Sequence, residues 1–191
     1  EGLRPQEVLC ELNQDVSTIS KIVEKHNGVV DKFQGDAVMA LFGAPIHSAF
    51  DATNAMSAGL EIIDAMEIGD SRLSACIGIS TGLVVAGNLG SSNRLNYSVI
   101  GDTVNLSARL ESLTRLYNVS NIVSEASRDA APNFTYMELD EVCVAGKSQA
   151  IKIFQLLGLP NQISPEELAV AVAFAGALKA YRAQNWILAQ R

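Results

Sequence analysis

Val8, Leu12, Val16, Ile19, Ile22 and Val23 recur at three- and four-residue spacings between Pro5 and Asn27, a stripe that predicts an amphipathic helix. Asn27-Gly28 closes it, with Gly28 expected as the left-handed C-cap. The pattern then shortens. Val29 to Phe33 and Ala37 to Phe42 are apolar runs joined by Gln34-Gly35-Asp36, which predicts a hairpin. Gly43-Ala44-Pro45 ends the second run. From Asp51 to Met66 a second helix is predicted, with Ala52, Ala55, Met56, Leu60 and Ile63 on its inner face.

Further on, Leu73 to Ser80 and Leu83 to Ala86 predict strands, with Gly78 and Gly82 marking a bend or a close backbone approach. The polar stretch Gly90 to Asn96 predicts an exposed loop or arm. Tyr97 to Ile100 predicts a strand leading into a helix from Thr103 to Tyr117, with Asp102 as N-cap. A strand at Asn121 to Ser124, a short helix from Glu125 to Ala130, and a hairpin of Met137 to Val144 with Ile151 to Leu156 complete the pattern. A linker, Pro160 to Pro165, precedes a mainly helical tail from Glu166 to Gln190, with Pro165 in its first turn and Ala, Leu, Tyr181 and Trp186 as packing groups. The tail is expected to pack onto its own domain. This order indicates an α+β domain with a largely antiparallel sheet. No internal repeat is evident.

Composition adjusts this picture in three places. The 191 residues suffice for one compact domain with an appendage. Charged residues make up 18%, below the roughly 25% of an average soluble domain, so some apolar surface is available for a filled core or for a partner subunit. The net charge of −7 argues against a nucleic-acid groove or an anionic membrane surface, but not against a nucleotide bound with metal ions. Cys10, Cys76 and Cys143 lack CxxC spacing; Cys76 and Cys143 lie in strand-like runs and are expected to be buried thiols in a reducing, cytoplasmic setting. No run of about eighteen apolar residues and no signal peptide appears, so no direct membrane contact is expected of this stretch.

Two segments carry candidate chemistry. In Gly28 to Asp36, Asp36 follows a glycine at a hairpin tip, a position suited to a hard divalent cation or to simple turn chemistry. Lys32 is a charge inside an apolar strand, either functional or snorkelling from an edge. In Tyr97 to Arg109, Asn105 and Arg109 are one helical turn apart near a helix start, where backbone N–H groups favour an anion and a guanidinium can grip a phosphate. The plainer alternative pairs Arg109 with Glu111 or Asp102 on the surface.

Taken together the segments are specific. Val-Asp-Lys-Phe-Gln-Gly-Asp-Ala-Val-Met-Ala-Leu-Phe-Gly-Ala-Pro (30–45), the Gly-rich run 77–90, and Tyr-Ser-Val-Ile-Gly-Asp-Thr-Val-Asn-Leu-Ser-Ala-Arg-Leu-Glu (97–111) resemble the catalytic domains of class III nucleotidyl cyclases, in the family's order and spacing across about residues 5–157. The resemblance implies a ferredoxin-like βαββαβ-type cyclase fold with helices flanking a mostly antiparallel sheet and a C-terminal helical tail. It divides the chain into a catalytic domain at 1–158 and a linker with tail at 159–191.

By that resemblance the chain is an adenylate cyclase, converting ATP to cyclic AMP and pyrophosphate at a homodimer interface. Asp36 would be one of two aspartates holding two Mg²⁺ or Mn²⁺ ions, which activate the ribose 3′-hydroxyl and neutralise the pyrophosphate. Asn105 would position the ribose and Arg109 would stabilise charge on the α-phosphate, both from the protomer opposite Asp36. Lys32 would donate to adenine N1 and Ser98 would accept from the N6 amine, which favours ATP over GTP. Family members that carry Ser or Thr instead of Asp at the second position are similar to the bicarbonate-responsive branch.

Two departures accompany the resemblance. The family's first metal aspartate lies in a strand that would precede Glu1, so the first strand is expected to be missing. Ala145 stands where the family usually has a phosphate-binding Lys, a role open to Lys147 or Arg94. The competing readings are a cyclase-like regulatory or dimerisation module with impaired turnover, and a guanylate cyclase. A sensory or membrane module upstream is expected in the full-length protein.

Overall fold

A computed structural model describes residues 4–68, 74–91, 94–143 and 150–190. Helix α1 (Pro5–Lys25) leads into the hairpin β1 (Val29–Gln34) and β2 (Ala37–Leu41), followed by α2 (Asp51–Ile68). Next come β3 (Ile77–Ile79), β4 (Val85–Ser91), β5 (Arg94–Ile100) and α3 (Asp102–Tyr117). The remainder is β6 (Asn121–Ser124), α4 (Glu125–Ala130), β7 (Thr135–Val142), β8 (Ile151–Gly158), α5 (Pro165–Arg182) and α6 (Trp186–Ala189). Among the described residues the strands form three sheets: β1-β2, β4-β5, and a four-stranded sheet ordered β3-β6-β8-β7. All pairings are antiparallel except β3 with β6, whose parallel register is the consequence of the α3 crossover between them. This is the α+β, mostly antiparallel architecture expected from the pattern.

Three apolar clusters hold it. Ile22 and Val23 of α1 meet Ala58, Ile62 and Met66 of α2 over the β1-β2 hairpin. Met56 packs with Val123, Phe134, Phe154 and Leu156. Leu106 and Leu110 of α3 sit on Ile122, Leu139 and Ile153. The α1 stripe reaches the core only in its second half, since Val8 is 45% exposed. Met56 of α2 is buried, with Ala52 and Leu60 packed beside it as expected, and a second buried face through Ala58, Ile62 and Met66, not expected, meets α1.

Several local expectations are corrected. Asn27, not Gly28, takes the left-handed conformation (φ 59°), and Gly28 N–H donates to Val23 O at 2.8 Å, as the Schellman motif requires. Gly28 is needed for space: a Cβ there would collide with Phe42 and Val23 at 2.6–2.8 Å. The N-cap of α3 is Gly101, whose carbonyl accepts from Val104 and Asn105, so Asp102 opens the helix and its charge faces the dipole. Within the stretch Gly90 to Asn96, Gly90–Ser91 and Arg94–Asn96 are paired in the β4-β5 ribbon, with Gly90 opposite Leu95; residues 92–93 lie outside the described residues. Of the strand expected at 73–80, only Ile77–Ile79 pairs as a strand among the described residues, residue 73 lying outside them; the strand expected from Leu83 begins at Val85.

The tail begins at a capping box, with Glu167 N–H donating to Ser164 Oγ and Ser164 N–H donating to Glu167 Oε2. It is tied to β7 by Arg182 Nη1–Glu138 Oε1 at 2.6 Å. Only Ala171 and Ala180 of it are buried. Tyr181 and Trp186, expected as packing groups, meet each other edge-on at 5.6 Å but stay more than half exposed.

Two tyrosines make the β7 side of the fold sensitive to alkali. Burial, then the hydrogen bond to Asp140 (Oη–Oδ2 2.9 Å), pushes Tyr117 up to about 12. Burial pushes Tyr136, which donates to Ala131 O at 2.7 Å, up to about 12 as well. Both pKa values are raised on folding, so their stabilisation is complete below the unfolded value near 10 and is lost as pH rises toward 12. Denaturant midpoints should hold steady to about pH 10 and then fall, and Tyr117→Phe with Tyr136→Phe should flatten that fall. An unchanged slope in the double variant would refute this assignment.

Candidate active site

Helix α3 presents two adjoining stripes, each one turn long. Leu106 and Leu110 point into the core, 8% and 0% exposed, and fix the rotation of the helix. Asn105 and Arg109 precede them by one residue, about 100° round the helix, and therefore emerge at its edge. The helix is also pressed onto β3: a Cβ on Gly78 would run into the Ser107 carbonyl oxygen and the Glu111 backbone nitrogen. The depth of α3 is thus set by a missing side chain.

Asn105 and Arg109 line an open cavity of about 680 Å³, together with Ser112, Leu116, Val142 and Cys143. Glu111, one alternative partner for Arg109, is taken by Arg115 at 3.4 Å. Among the described residues Arg109 has no ion pair or hydrogen bond, so a cation with five donors faces the cavity uncommitted. Cys143 is exposed at the cavity wall rather than buried, because β7 ends at Val142; Cys10 is exposed too. Leu116, 76% exposed, adds an apolar flank.

The second group of residues lies on β1 and β5. Ser98, 4% exposed, donates from Oγ to Asp31 Oδ2 at 2.8 Å. Lys32 Nζ lies 3.2 Å from the same oxygen. Neighbouring residues of a regular strand face opposite ways, but the β1-β2 register slips between Val30 and Lys32. That bulge lets Asp31 and Lys32 converge. Asp31 (side chain 2% exposed) was not among the residues expected from sequence. Its charge adjoining Lys32 was visible there, whereas the bulge that turns it inward was not.

Asp36 sits exposed at the hairpin tip after Gly35 (φ 68°), free of bulk as expected. Among the described residues no three His, Cys, Asp or Glu side chains gather to hold a metal ion. Asp36 suits one ligand position of a hard cation, but the described residues do not by themselves enclose one. Arg94 lies on β5 opposite Ser91, its side chain outside the described residues. Lys147, like Ala145, lies outside the described residues. Lys32 and Ser98 are therefore brought together, as are Asn105 and Arg109, while neither Lys32, Ser98 nor Asp36 lines the α3 cavity.

Residues 1–158 match the family described as adenylate and guanylate cyclase catalytic domain. Adenylate cyclase 1 of Rhizobium meliloti is 29% identical over 180 residues, covering 90% of this chain and 27% of that protein. An adenylate cyclase of Anabaena cylindrica is 32% identical over 167 residues, covering 82% and 33%. The chain therefore spans about a third or less of these relatives. The adenylyl cyclase CyaB from P. aeruginosa superposes with a TM-score of 0.77 at 28% identity, covering 85% of this chain and 88% of that one. The guanylyl cyclase Cya2 does so at 0.73 and 30%, covering 85% and 87%. Among the described residues no helix is long and apolar enough to cross a membrane.

Proposed function

This chain belongs to the adenylate and guanylate cyclase catalytic-domain family, and we propose that it converts ATP to 3′,5′-cyclic AMP and pyrophosphate at a homodimer interface. Overall similarity does not choose the base, since an adenylyl and a guanylyl cyclase superpose almost equally well. The observation that carries ATP is the meeting of Lys32 and Ser98 at one carboxylate oxygen. A charged donor and a hydroxyl side by side match adenine, whose N1 accepts and whose N6 amine donates. Guanine offers the reverse at both atoms.

In this reading Arg109 stabilises the negative charge that builds on the α-phosphate during attack, and the lack of a carboxylate partner among the described residues keeps it available for that task. Asn105, one turn earlier, orients the ribose. Arg94 and Lys147 are proposed to bind the triphosphate. Divalent-metal dependence is general in the family; two Mg²⁺ or Mn²⁺ ions are the proposed cofactors, with Asp36 as one ligand. The separation of the base-reading group from the α3 cavity supports a site completed by a second copy, in which two-fold symmetry supplies both halves twice. We also place the domain in the cytoplasm, within a longer protein carrying a sensory or membrane module. The chain spans only 50% of a bacterial light-regulated adenylyl cyclase, which supports this last point.

The test is to incubate the full-length protein with Mn²⁺ and either ATP or GTP and to quantify both cyclic nucleotides. Cyclic AMP is expected as the dominant product; absence of both products would overturn the enzyme reading. Lys32→Glu should lower the ATP-to-GTP ratio of kcat/KM by at least about 10-fold, because the substituted carboxylate accepts where adenine N1 also accepts. Retention of the ATP preference in that variant would sink the base assignment.

A further inference from the structure

We propose that Asp31 is a specificity-positioning residue: its buried carboxylate accepts the hydrogen bond that the Ser98 hydroxyl donates and holds the Lys32 ammonium, and so sets the hydrogen-bond polarity of the base pocket. The inference rests on the nucleotide-binding reading above and explains something that reading leaves open. A serine hydroxyl has one proton and two lone pairs, so it can donate or accept. Alone it would welcome the 6-oxo group of guanine as readily as the 6-amine of adenine.

Asp31 removes that ambiguity. Its Oδ2 lies 2.8 Å from Ser98 Oγ and 3.2 Å from Lys32 Nζ. An ion-paired carboxylate has only lone pairs to offer, so the Ser98 proton must point toward Asp31. What Ser98 can then show a base is acceptance alone. The same oxygen orients Lys32, which has only protons to offer. One buried atom thereby presents an acceptor beside a donor, the complement of adenine N6 and N1.

The surroundings make the arrangement rigid. Asp31 and Ser98 are 2% exposed (side chain) and 4% exposed, so water does not compete for the shared proton. The hydrogen bond joins β1 to β5, two strands in separate ladders, and fixes the base-reading residues relative to one another. The register slip at Asp31 brings this side chain to the face of Lys32, in keeping with the use of bulges to re-aim side chains beside active sites.

The experiment compares ATP with inosine triphosphate, which carries the 6-oxo and N1–H pattern without the 2-amino group of guanine. Affinities are measured on the full-length protein by displacement of a fluorescent ATP analogue, and kcat/KM by product formation. Asp31→Ala frees the Ser98 hydroxyl to rotate and should reduce the ATP-over-inosine preference by about 10-fold. Asp31→Asn leaves a carbonyl oxygen to accept from Ser98 and should keep most of that preference. In a Ser98→Ala background, Asp31→Ala should change the preference much less, as the two act through one hydroxyl. Asp31→Leu, similar in volume and without an acceptor, repeats the measurement should the alanine chain fail to fold.

An equal loss of affinity for both nucleotides in the Asp31 variants would mark the residue as merely structural and overturn the proposal. So would a wild-type chain that binds the two alike. A chain that cyclises ATP while Asp31→Ala keeps the wild-type preference retains its function and refutes the inference. Asp31-dependent preference in binding, without any cyclic product, supports the inference and refutes the cyclase reading instead.

Discussion

Replacing Arg109 by alanine is expected to lower kcat for ATP by about 10²–10³-fold, the loss seen when one pre-aimed donor is removed from a developing charge. The guanidinium stands at the edge of α3 with no ion pair or hydrogen bond among the described residues, so it contributes little to the fold. Its loss should leave stability within about 0.5 kcal/mol of the parent. Activity and stability are thus expected to separate, which a chemical melt beside a turnover assay will show. Arg109→Lys should not restore the rate, as an ammonium cannot reproduce a planar fork on a phosphate.

The same variant tests the assembly. Asp36→Ala and Arg109→Ala chains, each inactive, should regain up to about a quarter of parental activity when mixed, since half the dimers are mixed and each of those has one intact site of two. No recovery despite subunit exchange would mean that Asp36 and Arg109 serve one site from one chain.

Among the described glycines, Gly78→Ala should be the most damaging single-methyl change. The added Cβ meets the Ser107 carbonyl oxygen and the Glu111 nitrogen, both backbone atoms of α3, and neither can swing aside as a side chain would. The cost expected for overpacking is about 1–3 kcal/mol. The part relieved by movement must lift α3 from β3, and α3 carries Asn105 and Arg109. A displacement of about 1 Å at a reacting group costs on the order of 10²-fold in rate. Leu110→Ala is the control: it empties space under α3 and costs about 2–5 kcal/mol without pushing the helix outward. If Gly78→Ala turned over ATP at the parental rate while less stable, the link between helix depth and catalysis would be wrong.

The elements of this fold were largely legible because their signals are local. The α1 stripe, the Gln34-Gly35-Asp36 turn and Pro165 each announce an element within a few residues of themselves. Errors arose where a distant partner decides. Gly28 read as a cap because glycine usually serves there, but Phe42 and Val23 need its emptiness while Asn27 supplies the left-handed turn. Gly90–Ser91 and Arg94–Asn96 look like loop because they are mostly polar, yet the pairing of β4 with β5 engages their backbone. Cys143 read as buried because the run before it is strand-like; the strand stops at Val142 and leaves the thiol on a cavity wall.

The residues of the candidate site divide in the same way. Sequence by itself determined the family, the one-turn spacing of Asn105 and Arg109, and the presence of Lys32, Ser98 and Asp36, because identity and spacing along a chain are covalent facts. The tertiary fold adds that Arg109 has no carboxylate partner among the described residues, that Gly78 sets the height of its helix, and that Asp31 turns inward to hold Ser98 and Lys32 on one oxygen. These depend on a register slip in β1 and on contacts between residues as far apart as Asp31 and Ser98, which no local pattern encodes.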